Sequence, residues 1–158
     1  MDHAEQVMAE LIAYAHEKME KNNAYPFCAF VVKDGIVISR GYNSKVNLYG
    51  DKTTHGEMEA FSKACRSLQI RNLIFGKELG LYTTCEPCLA CFDTALWHQI
   101  GTIVYSVDHH DFPEYFHDHP YTIENFEKEN PNFLNIKRGI LRREGIILFK
   151  KAKEKYGW

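Results

Sequence analysis

The segment His55-Gly56-Glu57, followed after a helical and a strand pattern by Pro87-Cys88-Leu89-Ala90-Cys91, constrains this chain more than any other feature. One imidazole and two thiolates are ligands that zinc takes in a tetrahedral arrangement, and a catalytic zinc keeps its fourth position for water. Three ligands with a carboxylate left over match a water-activating site better than a closed structural one. Any fold that satisfies the pattern has to bring the two segments to one point.

Length and composition suit such a fold. The 158 residues, 45% of them hydrophobic, fit one compact domain spanning 1–158. No apolar run reaches the roughly 18 residues of a membrane span, and Met1-Asp2-His3-Ala4-Glu5 lacks the basic-then-apolar profile of a signal peptide. A cytoplasmic protein without a membrane partner is expected. Five cysteines make an odd count, and Cys85, Cys88 and Cys91 crowd into seven residues, where a metal is a better use than disulfides.

The formal net charge of -2 argues against a protein that mainly holds nucleic acid by phosphate neutralisation. Its distribution is uneven. Asp108 to Glu129 holds seven acidic residues, four His and one basic residue, Lys128, whereas Lys137 to Lys155 holds eight Lys or Arg and two Glu. Complementary solvated faces are the plain reading; a basic helix for RNA is the sharper one.

Val7, Met8, Leu11, Ile12, Ala15 and Met19 recur at helical spacing behind Asp2, a cap, and Asn22-Asn23 ends that helix near Lys21. Ala29 to Val32 and Ile36 to Ser39 read as strands joined through Lys33-Asp34-Gly35. Asn43 to Lys52 reads as a loop. Thr53 or Thr54 caps a helix to about Leu68, with Met58, Phe61, Ala64, Cys65 and Leu68 inward and His55 and Glu57 in its first turn. Leu79 to Thr83 is a third strand. Pro87 suits the first position of the next helix, whose first turn carries Cys88 and Cys91 on one face. Thr102 to Val107 is a fourth strand, Asp108 to Asn132 an irregular segment, Leu134 to Arg138 a fifth strand, and about Leu141 to Lys155 a basic final helix. Helices interleaved with five strands predict an α/β class, a three-layer α/β/α domain around a five-stranded mixed sheet.

Five blocks carry a resemblance. Pro26-Phe27, Val32-Lys33-Asp34-Gly35, Gly41-Tyr42-Asn43, Thr54-His55-Gly56-Glu57 and Thr84-Cys85-Glu86-Pro87-Cys88 resemble, in order, those of the cytidine-deaminase-like superfamily. The likeness is to its branch of guanine deaminase, fungal cytosine deaminase and bacterial tRNA adenosine deaminase. Zinc nucleobase deaminases carry an H-x-E…P-C-x-x-C signature in which the Glu is general acid and base.

The resemblance implies one Zn2+ per chain, held by His55, Cys88 and Cys91, with Glu57 as proton shuttle to a ring nitrogen and then to the departing amine. The alternative for Glu57 is a capping-box carboxylate. Cys85 has the same spacing to Cys88 as Cys88 has to Cys91, so either pair offers ligands. In the family the first thiolate follows the proline, which selects Cys88 and Cys91 and places Cys85 beside the substrate. Asn43 matches an Asn that hydrogen-bonds the base. At the position of Glu86 the family uses the backbone carbonyl, which leaves its side chain dispensable. Phe27, Trp97 and the aromatics of 112–126 are candidates to stack on a base, or core. His109, His110, His117 and His119 alternate with Asp108, Asp111 and Asp118, which reads as a polar lid with a second metal site as the alternative, and Asp111 or Asp118 would read the base's N–H edge. Tyr156 and Trp158 would close the pocket, as tails do in the guanine and cytosine enzymes. Gly56, Ala90 and Asp93 depart from the usual residues and leave the substrate open; Gly56 resembles the cytosine enzyme.

The resulting expectation is a zinc-dependent hydrolytic deaminase of a free nucleobase or related small heterocycle, a guanine-type purine first. Cytosine and tRNA adenosine are the alternative substrates, and a non-catalytic zinc-containing binding module is the alternative of another class. A homodimer is expected, because the family commonly completes its pockets across an interface and Tyr156-Gly157-Trp158 is hard to explain as a free tail.

Overall fold

The computed structural model of the chain describes residues 1–67, 76–116 and 121–158. Leu68, His117, Asp118 and His119, named above, lie outside the described residues. The first helix, α1 (His3–Lys21), starts with a reciprocal cap in which the Asp2 carboxylate accepts from Glu5 N–H and the Glu5 carboxylate from Asp2 N–H, each at 2.9 Å. It buries Ala4, Val7, Met8, Leu11, Ile12, Ala15 and Met19, and Asn22 closes it.

Strands β1 (Ala29–Lys33) and β2 (Ile36–Gly41) pair antiparallel, Lys33 opposite Ile36. Asp34 and Gly35 alone make the turn, both at positive φ (49° and 78°), the backbone a two-residue hairpin needs. Then come α2 (Ser44–Tyr49), α3 (Gly56–Ser67), β3 (Leu79–Cys85), α4 (Leu89–Trp97) and β4 (Thr102–Val107). A 3-10 turn (His109–Asp111), α5 (Pro113–Phe116), α6 (Ile123–Glu129), β5 (Asn135–Lys137) and α7 (Arg142–Tyr156) complete the order.

The sheet runs β2-β1-β3-β4-β5, antiparallel across β2-β1-β3 and parallel across β3-β4-β5. Successive strand residues point to opposite faces, and the core divides accordingly. Phe30, Val32, Val104 and Val107 pack with α1 and α7; Ala29, Val31, Ile103 and Tyr105 pack with α3 and α4. This is the three-layer α/β/α arrangement. No described helix is long and apolar enough to cross a membrane.

Some boundaries differ from the sequence reading. The expected loop 43–52 contains α2. Thr53 and Thr54 do not cap α3, because their hydroxyls bond Asp51; the first helical bond runs from Glu59 N–H to the His55 carbonyl, so His55 stands just before the first turn. The helix after Pro87 likewise opens at Leu89, with Cys88 at its cap. The expected irregular stretch 108–132 holds the 3-10 turn, α5 and α6.

Candidate active site

Close backbone approach sets one side of the site. A Cβ on Gly41 would lie 2.0 Å from the Gly56 carbonyl oxygen, and one on Gly56 would lie 2.6 Å from the Phe27 carbonyl oxygen. Two glycines thus let the start of α3 press against β2 and the approach to β1, and this seats His55 and Glu57. Gly56 serves packing and is not among the cavity-lining residues. The residues before β1 are held by Thr84, whose hydroxyl donates to the Pro26 carbonyl (2.7 Å) and accepts from Cys28 N–H (3.1 Å). That contact fixes Phe27.

The other side comes from the carboxyl ends of the parallel strands, where open α/β sheets place their sites. Past Cys85, Glu86 N–H extends the ladder to the Val107 carbonyl (2.8 Å), and the chain turns through Pro87 into α4. This brings the Cys88 and Cys91 sulfurs each to 3.4 Å from His55 Nδ1, and all three atoms lie within 4.8 Å of one another. A tetrahedral zinc with ordinary Zn–S and Zn–N bonds needs N···S separations of about 3.6 Å. The donor set and its spacing therefore fit zinc. A hydrogen bond from Cys91 and the approach to His55 pull the Cys88 thiol down to about 4. The same pairing pushes Cys91 up. A divalent cation favours loss of that remaining proton.

Glu57 is buried beside these ligands, and burial pushes its carboxyl up to about 7, with the Cys88 charge adding to the rise. A cavity of about 430 Å³ opens in front of it, lined by Phe27, Asn43, His55, Glu57, Glu86 and Cys88, and closed by His109, Tyr115, Phe116, Tyr156 and Trp158. Asn43 sits in the left-handed region (φ 55°), is 3% exposed, and its Oδ1 has no partner among the described residues. A buried amide oxygen without a donor is costly unless something supplies one.

Some of the other sequence candidates lie outside the cavity. Cys85 is buried in the core at the end of β3, outside the ligand group, where burial pushes its thiol far up. Asp111 pairs with Arg142 and is not part of the cavity lining. Trp97 is 73% exposed at the end of α4, and Ala90 and Asp93 are exposed on the same helix. The Glu86 side chain is not idle: its carboxylate accepts from the backbone N–H of His109 (3.2 Å) and of Ile123 (3.4 Å). The tail folds onto its own chain, with Tyr156 donating to the Ala24 carbonyl (2.8 Å) and Trp158 packed on Tyr115 (4.5 Å) and Phe112 (6.0 Å). Tyr25 and Lys52 line the cavity without having been singled out, since neither stands in a motif.

Residues 1–107 match the model of the cytidine and deoxycytidylate deaminase zinc-binding region, a span that contains every member of this constellation up to Cys91. The chain belongs to that deaminase family. Guanine deaminase of Bacillus subtilis is 32% identical to this deaminase over 128 residues, 81% of this chain and 79% of its own length. A tRNA-specific adenosine deaminase of Aquifex aeolicus is 37% identical over 81 residues, 51% of each chain. The solved guanine deaminase of Nitrosomonas europaea has the same fold, with a TM-score of 0.80 over 95% of this chain and 84% of its own at 21% identity. The deaminase is thus a zinc-dependent hydrolytic enzyme, and the reading as a non-catalytic binding module falls away.

Proposed function

We propose that the cavity binds a free nucleobase, with a guanine-type purine as preferred substrate, and that Glu57 drives hydrolytic loss of its amino group as ammonia. The carrying observation is the cavity itself. It is small, aromatic and closed by the chain's own tail, and its lining holds His55, Cys88, Glu57 and Asn43, whose Oδ1 has no partner among the described residues. The guanine deaminase relative, matched over most of both chains, supports the purine.

His55 Nδ1 and the sulfurs of Cys88 and Cys91 would hold the metal, which when bound supplies Lewis-acid activation of water near neutral pH. Glu57 is the proton carrier. Its carboxylate takes a proton from water as that water adds to the ring carbon and passes it to the neighbouring ring nitrogen; it then takes the proton of the new hydroxyl and delivers it to the amine as the C–N bond breaks and the carbonyl forms. A carboxyl raised toward neutrality by burial both accepts and returns protons at working pH. Asn43 Oδ1 accepts a ring or exocyclic N–H of the base, and Phe27, Tyr115 and Phe116 offer it flat apolar faces. Neither Cys85 nor Asp111 enters the proposed substrate contacts.

Charge supports a small substrate over a nucleic acid strand. Arg142 and Lys153 of α7 pair with Asp111 and Glu114 of the acidic segment, and Lys151 pairs with Glu20 (3.1 Å). These cations face carboxylates of the same chain and are not held out for phosphates. Five cysteines, none in a disulfide, suit a reducing compartment, and we place the protein in the cytoplasm as one domain over 1–158. We also propose a homodimer. The self-packed tail no longer argues for one; exposed Leu89 (54%) and Trp97 (73%) on α4 do, and sedimentation at micromolar concentration tests it.

The test of substrate is ammonia release by the zinc-loaded protein from a panel of free bases and nucleosides, beside inosine formation in a tRNA anticodon stem-loop. Guanine turning over fastest is expected. Inosine formation outpacing every free base, with binding that weakens steeply as salt rises, would reverse the proposal.

A further inference from the structure

Glu86 joins two parts of the site that are separate in the chain. It lies between the end of β3 and Pro87-Cys88, is 5% exposed, and turns its carboxylate toward the elements that follow β4. Oε2 accepts from His109 N–H at 3.2 Å and lies 3.7 Å from His109 Nδ1; Oε1 accepts from Ile123 N–H at 3.4 Å. His109 belongs to the 3-10 turn that leads into α5, and its ring stacks on Phe116 at 4.3 Å. Phe116 in turn meets Phe27 at 6.1 Å and Tyr115 at 4.9 Å. The aromatic wall is thereby built outward from the residue that Glu86 holds.

We propose that Glu86 is a positioning residue: one buried carboxylate clasps the turn at His109 and the first residue of α6, and so sets the aromatic wall against the loop that carries Cys88. Two N–H donors arriving on two different oxygens require a carboxylate, since an amide offers one acceptor and presents N–H2 to the other donor. Burial makes the mismatch costly, because a donor left unmatched there cannot turn to water. The role in substrate binding rests on the reading of the cavity given above; the clasp itself does not.

The experiment compares zinc-loaded wild type and Glu86→Gln by residue-resolved amide hydrogen exchange and by steady-state kinetics on guanine. In the wild type both the His109 and Ile123 amides should be protected; rapid exchange at either overturns the clasp without need of a variant. In Glu86→Gln at least one of the two should exchange about tenfold faster or more, with amides of β3 and β4 unchanged and zinc still stoichiometric. KM should rise by a similar factor while kcat stays within about threefold. Unchanged exchange at both amides overturns the clasp. Faster exchange with an unchanged KM and a lowered kcat shows that Glu86 serves the chemistry and not the wall. If wild type turns over no free base, the functional reading fails while the exchange data still decide the clasp.

Discussion

The Glu59 carboxylate accepts from both the backbone N–H of Ser44 (3.1 Å) and its hydroxyl (2.9 Å), which ties α3 to the residue that follows Asn43. Lys63 pairs with the same carboxylate at 2.6 Å and donates to the Arg40 carbonyl at 3.0 Å, bracing it from behind. The helix turn that presents Glu57 inward therefore also sets the backbone next to Asn43, through Glu59.

Glu59→Ala should consequently weaken substrate binding without touching the metal. Loss of hydrogen bonds to a partly buried charged group corresponds to about 1.5–3 kcal/mol, so KM should rise by roughly 10- to 100-fold with zinc content intact. Glu59→Gln, which keeps an acceptor for Ser44, should recover most of the loss. A KM unchanged in Glu59→Ala would mean that Asn43 holds its place without this brace.

Gly56→Ala tests the close approach of α3. The added methyl would start 2.6 Å from the Phe27 carbonyl oxygen, a backbone atom that cannot swing aside. Overpacking of this kind typically costs about 1–3 kcal/mol, to be read from denaturant unfolding of the zinc-loaded protein. A change below about 0.5 kcal/mol would show that the two segments separate freely.

Cys88→Ala and Cys91→Ala should each lose stoichiometric zinc, whereas Cys85→Ala should retain it, because Cys85 points into the core from the end of β3. Metal analysis of the three purified variants decides. Zinc lost from Cys85→Ala but kept by Cys91→Ala would overturn the ligand set.

Much of this was legible in the sequence because the signals were local. Apolar, β-branched runs and Asp34-Gly35 marked the hairpin, apolar spacing marked α1, and the family resemblance, through the place of Pro87, chose among equally spaced cysteines. What stayed hidden depends on contacts between distant residues. The short segment 44–49 is too brief to show an amphipathic period, and its helix is held at Ser44 by Glu59. Glu86 reads as a motif residue with a spare side chain until β4 and α6 bring His109 and Ile123 to it. The acidic and basic halves of the C-terminal region were visible as charge runs; that Asp111 and Glu114 meet Arg142 and Lys153 is a property of the fold. The tail looked in need of a partner because its own cover, Ala24, Phe112 and Tyr115, is remote in sequence.

The central claim is that Glu57 carries the protons beside a zinc held by His55, Cys88 and Cys91, and turnover by zinc-loaded Glu57→Gln tests it most directly. The amide preserves shape and cannot shuttle protons, so zinc and fold should be retained while kcat drops by about 100- to 10,000-fold. Activity above about a tenth of wild type, with zinc still bound, would contradict the account.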